Sequence, residues 1–240
     1  QEGDIHQLSL QSIFSFLKTP QFKQPYPFVL LMIFLIFVVS SGLILRGHLQ
    51  EVSHNLLKTK RSTLSILDTE AERYRRDTLF LANTPPIRAL EKLYFDDPHL
   101  EKNEAQLKQW NERLADILKT YMLSKRDVYQ VRFIGAVNDW REVVKVQRFG
   151  EVPEVFSDEL LQSKENEPYI SQTLHVGADN VFESDINLNR EFGKIEQPSR
   201  PVWRFSTPLF HSDGRPFGIV IVNVSADHLL KAFAKSVAEE

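Results

Sequence analysis

Two arginines in strand-like segments have the residue type and spacing of a binding site. In VWRFSTPLF, the alternation of a strand turns Trp203 and Arg204 to opposite faces. In VYQVRFI, the same alternation separates Arg132 from Tyr129, Val131 and Phe133. If both arginines lie on one concave face, they are suited to a carboxylate or phosphate ligand, because each guanidinium offers a planar fork of N–H donors.

The same two arginines also have a structural interpretation. Acidic side chains would neutralise them in ion pairs, and the candidates are Glu142, Asp185 and Glu191. Of the two interpretations, structural pairing is the favoured one. Aromatic residues add a second ambiguity, because Trp140, Tyr169 and Phe182 could line a ligand cleft, whereas buried aromatic residues more often belong to a core.

Signatures of catalysis and of metal binding are missing from the sequence. It has no G-x-S-x-G turn, phosphate-binding loop, dinucleotide-binding glycine pattern or H-E-x-x-H helix, and no cysteine. The oxygen donors from Asp185 to Glu196 have the spacing of a calcium loop, but Arg190 stands where that loop requires glycine. We therefore predict no catalytic residue, no metal site and no cofactor.

Composition and charge narrow the class of partner. The 240 residues are 42% hydrophobic and 25% charged, as in an ordinary globular protein. The 29 basic and 32 acidic residues give a net charge of -3, so no broad cationic surface is available to attract nucleic acid. Nucleic-acid binding is therefore disfavoured.

The hydrophobic pattern of the second half predicts an α+β fold. Strands are predicted at 128–134, 142–149, 202–210 and 217–224, and helices at 86–95, 103–123 and 158–166. The segment FGIVIVNV is apolar on both sides, which predicts a central strand. Together these elements predict an antiparallel sheet of about five strands flanked by helices.

One segment is suited to a membrane. Residues 28–45 form a run of roughly 18 residues without a charge, long enough for a transmembrane helix. A polar segment, 1–27, precedes this run, which argues against a cleaved signal peptide. Basic residues flank both ends, so the charge rule does not place the N-terminus inside.

A long helix is predicted to follow the membrane segment. Over 46–78 the residues Leu49, Val52, Leu56 and Tyr74 fall near one stripe at close to heptad spacing. This stripe would serve equally for pairing with a second copy of the chain or for packing on the chain's own sheet. Both alternatives stay open, and both could be true if one stretch of the helix pairs with a second copy and another packs on the sheet.

A succession of short motifs resembles one family of sensors. The motifs are YQVRFI, REVVKV, ELLQSK with Tyr169 after it, VFESDINLNREFGKIEQPSRPVWRFSTPLF and GIVIVNV. Their order resembles the membrane-distal module of double Cache domains, the PAS-like extracytoplasmic sensors of bacterial histidine kinases, diguanylate cyclases and chemoreceptors.

This resemblance implies an arrangement of domains. Residues 1–27 would be cytoplasmic and 28–45 would cross the bacterial inner membrane. Residues 46–125 would form a helical segment with the signalling helix, 126–230 the sensor module in the periplasm, and 231–240 the start of a connection. We therefore expect the chain to be part of a longer, dimeric receptor.

The implied function is non-enzymatic sensing. A small molecule of unknown identity would bind the module and bias a signal carried by the long helix. The candidate ligand contacts are Arg132, Trp140, Tyr169, Asp185 and Arg204. The alternatives are a periplasmic module that binds a partner protein without a small-molecule pocket, and an extracytoplasmic hydrolase.

Overall fold

The computed structural model describes residues 26–95 and 104–227, together with 229–231 and 234. Most of the predicted N-terminal segment, 1–27, and of the predicted connecting segment, 231–240, lies outside the described residues. So does the first residue of the helix predicted at 103–123.

The long helix α1 extends over Tyr26–Ala82. Within the described residues, one stretch of it, Pro27–Lys58, is long and apolar enough to cross a membrane, and an 18-residue window in this stretch has a mean hydropathy of 3.0. The chain forms two compact units that divide between Leu64 and Ser65, and α1 contributes to both. The predicted membrane run and the predicted long helix are therefore parts of one element.

Two further helices follow α1 before the sheet begins. The helix ends just before Thr84, and α2 spans Pro85–Phe95, because a proline at the start of a helix needs no hydrogen bond for its missing N–H. Helix α3 spans Glu104–Ser124. Its predicted apolar face is confirmed, since Leu114, Leu118 and Met122 are buried in the core.

The sheet is antiparallel and forms the centre of the second unit. Its strands are β1 (Val128–Gly135), β2 (Arg141–Phe149), β3 (Val152–Val155), β4 (Phe182–Glu183), β5 (Asn187–Leu188), β8 (Pro201–Phe210) and β9 (Pro216–Ser225). Their order is β3-β2-β1-β9-β8-β4, and β5 also pairs with β8. Strand β3 forms one edge, and β9 is central as predicted. The remaining elements are α4 (Pro168–His175) and a hairpin of β6 (Arg190–Glu191) and β7 (Lys194–Ile195).

One face of the sheet carries the main hydrophobic core. Alternate strand residues such as Val131, Phe133 and Phe205 lie on this face and pack with Tyr74 and Leu81 of α1. Ring centroids of Tyr74 and Phe205 are 5.4 Å apart. The α+β fold class is thus confirmed, and the opposite face of the sheet is left for polar side chains.

The helix predicted at 158–166 is wrong. Only a 3-10 turn, Asp158–Leu160, forms there, and Leu161 is already extended. The reason is competition from β2, because the backbone of Gln162 accepts a hydrogen bond from the Glu142 N–H and the Lys164 N–H donates to the Trp140 carbonyl. Backbone groups that pair with a neighbouring strand are not available for helical hydrogen bonds.

The predicted orientation of Tyr129 is also wrong. The pairing of β1 with β9 shifts register between Val128 and Gln130, as at a β-bulge. A bulge places two successive residues against one partner, so the alternation is interrupted. Tyr129 therefore lies on the polar face, where its hydroxyl donates to Glu196 and accepts from Gln147.

Candidate functional site

A cleft of about 380 Å³ opens on the polar face of the sheet. Strands β1 and β8 supply Arg132 and Arg204, because both arginines alternate away from the apolar core as predicted. Helix α4 supplies Tyr169, whose ring lies 5.7 Å from the Arg132 guanidinium carbon and 5.9 Å from that of Arg204. The structure thus brings three of the predicted site residues together on one cleft.

Arg204 has no counter-ion in the described part of the chain. Among the described residues no carboxylate lies within ion-pair distance of its guanidinium, which instead donates to the Asn187 side-chain oxygen. Its Nε atom is buried without a hydrogen-bond partner in the described part of the chain. Burial and the neighbouring Arg132 lower the pKa of Arg204 to about 10, which still leaves it charged at neutral pH.

Arg132 is neutralised by Glu142. The Arg132 Nη1 atom lies 3.3 Å from Glu142 Oε1, and the two side chains are 3% and 0% exposed. Burial alone would lower the pKa of Arg132, but the oxygens of Tyr169 and Glu142 outweigh it and raise that pKa above its ordinary value. The structural interpretation, an ion pair with an acidic residue, therefore applies to Arg132. Arg204 is charged but has no acidic partner among the described residues.

The other two predicted contacts lie elsewhere. Trp140 packs beside Ile134, Ile170 and Tyr169 in a small apolar cluster below α4, and it is not among the residues that line the cleft. Asp185 is exposed and does not line the cleft either. Their role in ligand binding stays a prediction.

The charges around the cleft are predominantly positive. Arg190, in the β6–β7 hairpin, joins Arg132 and Arg204 in its lining, and Glu167 is the one acidic residue among the described lining residues. Polar groups from Ser184 and Asn187 complete the wall on the β8 side. Such a lining can neutralise and orient a small anion.

A second charge cluster, missed in the sequence, lies beside the cleft around Glu191. Its Oε1 atom accepts a hydrogen bond from Gln130 Nε2 at 2.9 Å. Its Oε2 atom accepts from Lys145 Nζ at 2.9 Å and from Gln162 Nε2 at 2.6 Å. Burial opposes the charge of Glu191, but Lys145 and Arg132 lower its pKa to about 2.

Lys164 is the third cation of this cluster. Its Nζ atom lies 3.9 Å from Glu142 and 4.0 Å from Glu191, and its side chain is 3% exposed. Burial and the charge of Arg132 lower its pKa. For Lys145 the sequence indicated this cluster only through strand alternation, and for Lys164 it gave no indication. The reason is that the partners of both lysines come from distant segments.

A second cleft, of about 720 Å³, is also lined by the β6–β7 hairpin. Lys164, Phe192 and Gly193 line it, and Glu167 and Arg190 line both clefts. The hairpin thus forms a wall of each cleft.

Comparison with solved structures identifies the fold. A domain of a protein assigned to the sensory box/GGDEF family, from Vibrio parahaemolyticus, matches with a TM-score of 0.56 and 17% identity, over 75% of this chain and 61% of that one. The extracellular domain of a protein assigned as a histidine kinase matches with a TM-score of 0.56 and 17% identity, over 75% and 58%. This chain therefore spans less than two thirds of each.

At this level of identity the likeness shows the fold. The chain shares its fold with these two domains, as the resemblance to Cache-type sensors implied for the architecture. No family model matches the chain, and no curated protein matches it significantly.

Proposed function

We propose that this chain is the extracytoplasmic sensory part of a membrane receptor and that it binds a small anionic molecule in the cleft beside Arg204. The observation that carries this proposal is the buried guanidinium of Arg204, which faces the cleft without a carboxylate partner among the described residues. A buried charge without a counter-ion is costly, so an anion in the cleft is favoured at this position.

The shape of the cleft supports a small ligand. Its volume lies near the lower end of the range for small-molecule sites, and the Tyr169 ring offers an apolar surface beside two guanidinium groups. A carboxylate or a phosphate would accept hydrogen bonds from Arg204 and from the amide of Asn187. Such a site requires no catalytic group, in keeping with a non-enzymatic sensor.

A contact between the cleft and α1 supports signal transmission. Arg204 and Ser184 exchange hydrogen bonds, with Arg204 N–H to Ser184 Oγ at 3.1 Å and Ser184 N–H to Arg204 O at 3.0 Å. The next residue back, Glu183, forms an ion pair with Arg75 of α1. A ligand that shifts Arg204 would therefore change contacts of the helix, provided that it binds the two conformations with different affinity.

The binding proposal is tested by thermal unfolding of the full chain in detergent micelles, with acetate, succinate, glutamate and inorganic phosphate as probes. Tryptophan fluorescence is a suitable signal, because Trp110, Trp140 and Trp203 all lie in the second unit. We expect at least one anion at saturating concentration to raise the Tm by roughly 5–10 °C. We expect Arg204→Gln to abolish this increase.

The matched control is Arg215→Gln, which removes an exposed arginine of the β8–β9 turn. It should leave the anion response unchanged. Absence of any anion response in the wild type, or a response that survives in Arg204→Gln, would overturn the proposal. A module that recognises only a partner protein predicts such silence.

We further propose that α1 anchors the chain in a membrane and pairs with the α1 of a second copy. The side chains of Leu49, Val52 and Leu56 are 61%, 56% and 51% exposed, whereas Ala71 and Tyr74 are buried in the core. The two uses of the predicted stripe therefore divide along the helix. In the upstream part the apolar residues of this stripe are exposed and therefore available to a partner helix.

Disulfide cross-linking tests this pairing, and the absence of natural cysteines makes it direct. In the full chain in membranes, Val52→Cys should give a covalent dimer under mild oxidation. His54→Cys lies on the opposite side of the helix and should cross-link several-fold less. Equal yields at the two positions would rule out a specific helix pair.

A further inference from the structure

The Glu191 carboxylate is surrounded by donors in the way that a bound carboxylate ligand would be. Its carboxylate receives hydrogen bonds from Gln130 of β1, Lys145 of β2 and Gln162 of the segment after β3, and Lys164 adds a positive charge at 4.0 Å. These donors belong to separate segments of the sheet side, and they converge on one pair of oxygens. Glu191 itself comes from the β6–β7 hairpin, which pairs with no other strand in the described part of the chain.

Two of the donors, Gln130 and Lys145, have further contacts that hold them in place without Glu191. The Gln130 amide also donates to Gln147 Oε1 at 2.7 Å and accepts from Asn223 at 3.2 Å. The Lys145 ammonium lies 4.2 Å from the centre of the Phe156 ring, and its side chain is 1% exposed. Donors fixed by their own neighbours form a site that exists before its ligand arrives.

The charge balance requires an anion at this position. Lys145 and Lys164 are both buried, and the other nearby acid, Glu142, already neutralises Arg132. Without Glu191, the two buried ammonium groups would share at most one carboxylate, that of Glu142, which already pairs with Arg132. Buried lysines in this arrangement favour any carboxylate that fits between them.

The base of the hairpin is attached to the sheet through Glu196 to Tyr129 and Asn189 to Asn223, but its tip has few other attachments. Phe192 and Ile195 are 69% and 42% exposed, and outside the Glu191 carboxylate the tip is joined to the sheet side by a hydrogen bond from Phe192 N–H to Gln162 Oε1 at 2.9 Å. Phe192 also has a φ of 51°, a backbone conformation that is unfavourable for a bulky residue. Glu191 is therefore the main contact that holds the tip down.

We propose that Gln130, Lys145, Gln162 and Lys164 form a carboxylate-binding site, distinct from the Arg204 cleft, in which Glu191 is the tethered resident. A free small carboxylate is the class of ligand that the site accepts when Glu191 is absent. Occupation by Glu191 fixes the hairpin as a wall of both clefts. The effect of this wall on a ligand at Arg204 rests on the function proposed above, but the site itself does not.

Chemical rescue tests the site directly. In the full chain in detergent micelles, Glu191→Ala should lower the Tm by on the order of 10 °C and should speed amide hydrogen exchange over residues 190–195. The rescue is measured in the Arg204→Gln background, where the proposed anion response of the cleft is removed. There, added acetate should raise the Tm of the Glu191→Ala variant by clearly more than it raises that of Arg204→Gln alone. Acetamide, which has nearly the same shape and no charge, should not produce this difference.

Two further variants keep the outcome unambiguous. Glu183→Ala removes a carboxylate that pairs with Arg75 outside this site, so in the same Arg204→Gln background its Tm should not respond to acetate. Glu191→Gln retains the side-chain shape and should still speed exchange in the hairpin if Glu191→Ala does not fold. Unchanged hairpin exchange in Glu191→Gln, or an equal response of Glu191→Ala to acetate and acetamide, would overturn the proposal. Acetate is also a probe of the Arg204 cleft, so the rescue is read as a difference within the Arg204→Gln background. Either proposal can therefore fail without the other.

Discussion

Replacement of Glu142 by alanine should lower the free energy of unfolding by roughly 4 kcal/mol. The Glu142 side chain is fully buried, with Arg132 at 3.3 Å and Lys164 at 3.9 Å, and it accepts the Gln162 N–H at 3.0 Å. Removing it leaves a buried guanidinium and a buried ammonium without their shared counter-ion. Chemical denaturation followed by tryptophan fluorescence measures the loss.

The contrasting variant is Asp213→Ala. Asp213 also pairs with an arginine, Arg215 at 2.6 Å, but these side chains are 42% and 63% exposed. Water and ions replace the lost partner at such a site, so no measurable change in stability is expected. If the two variants proved equally stable, burial of the Glu142 ion pair would not be what makes it important.

Replacement of Gly218 by alanine should lower the free energy of unfolding by about 3 kcal/mol. A Cβ atom at this position would overlap the carbonyl oxygen of Ile134 and lie 2.8 Å from Cε2 of Phe133. Both neighbours are buried in the central strand β1, so neither is able to move away without disturbing the pairing of β1 with β9. The same denaturation measurement applies.

Gly135 is the matched control, because it is the cross-strand partner of Gly218 in the same ladder. A Cβ at Gly135 would meet a methyl group, Val143 Cγ2, at 3.0 Å. A side-chain methyl can shift by the few tenths of an ångström that are needed, so Gly135→Ala should cost clearly less. An equal cost at both positions would show that the backbone contact is not decisive.

The local sequence pattern was sufficient to predict much of this fold. The alternation of VWRFSTPLF placed Trp203 and Arg204 correctly, because β8 is regular there, and the double-sided apolar pattern of FGIVIVNV identified the central strand. The local pattern failed to predict the orientation of Tyr129, because the bulge there depends on the partner strand. It failed again at 158–166, where hydrogen bonds to β2 replace those of a helix.

The site was predictable only in part, for a related reason. Arg132, Tyr169 and Arg204 were identified from residue type and alternation, and Glu142 was among the acids considered for pairing. The network around Glu191 joins residues from β1, β2, the 161–164 segment and the hairpin. No spacing along the chain encodes that convergence, because it arises only when the segments pack.

The edge strand β3 has a consequence for the behaviour of the protein in concentrated solution. Exposed edges of sheets are the places where separate molecules add strands to one another and aggregate. Here the edge strand is short, Val152–Val155, and although both of these valines are exposed, Pro153 removes a backbone donor and Glu154 adds a charge between them. Such an edge is a poor template for an incoming strand. The sheet is thereby protected against aggregation at this edge.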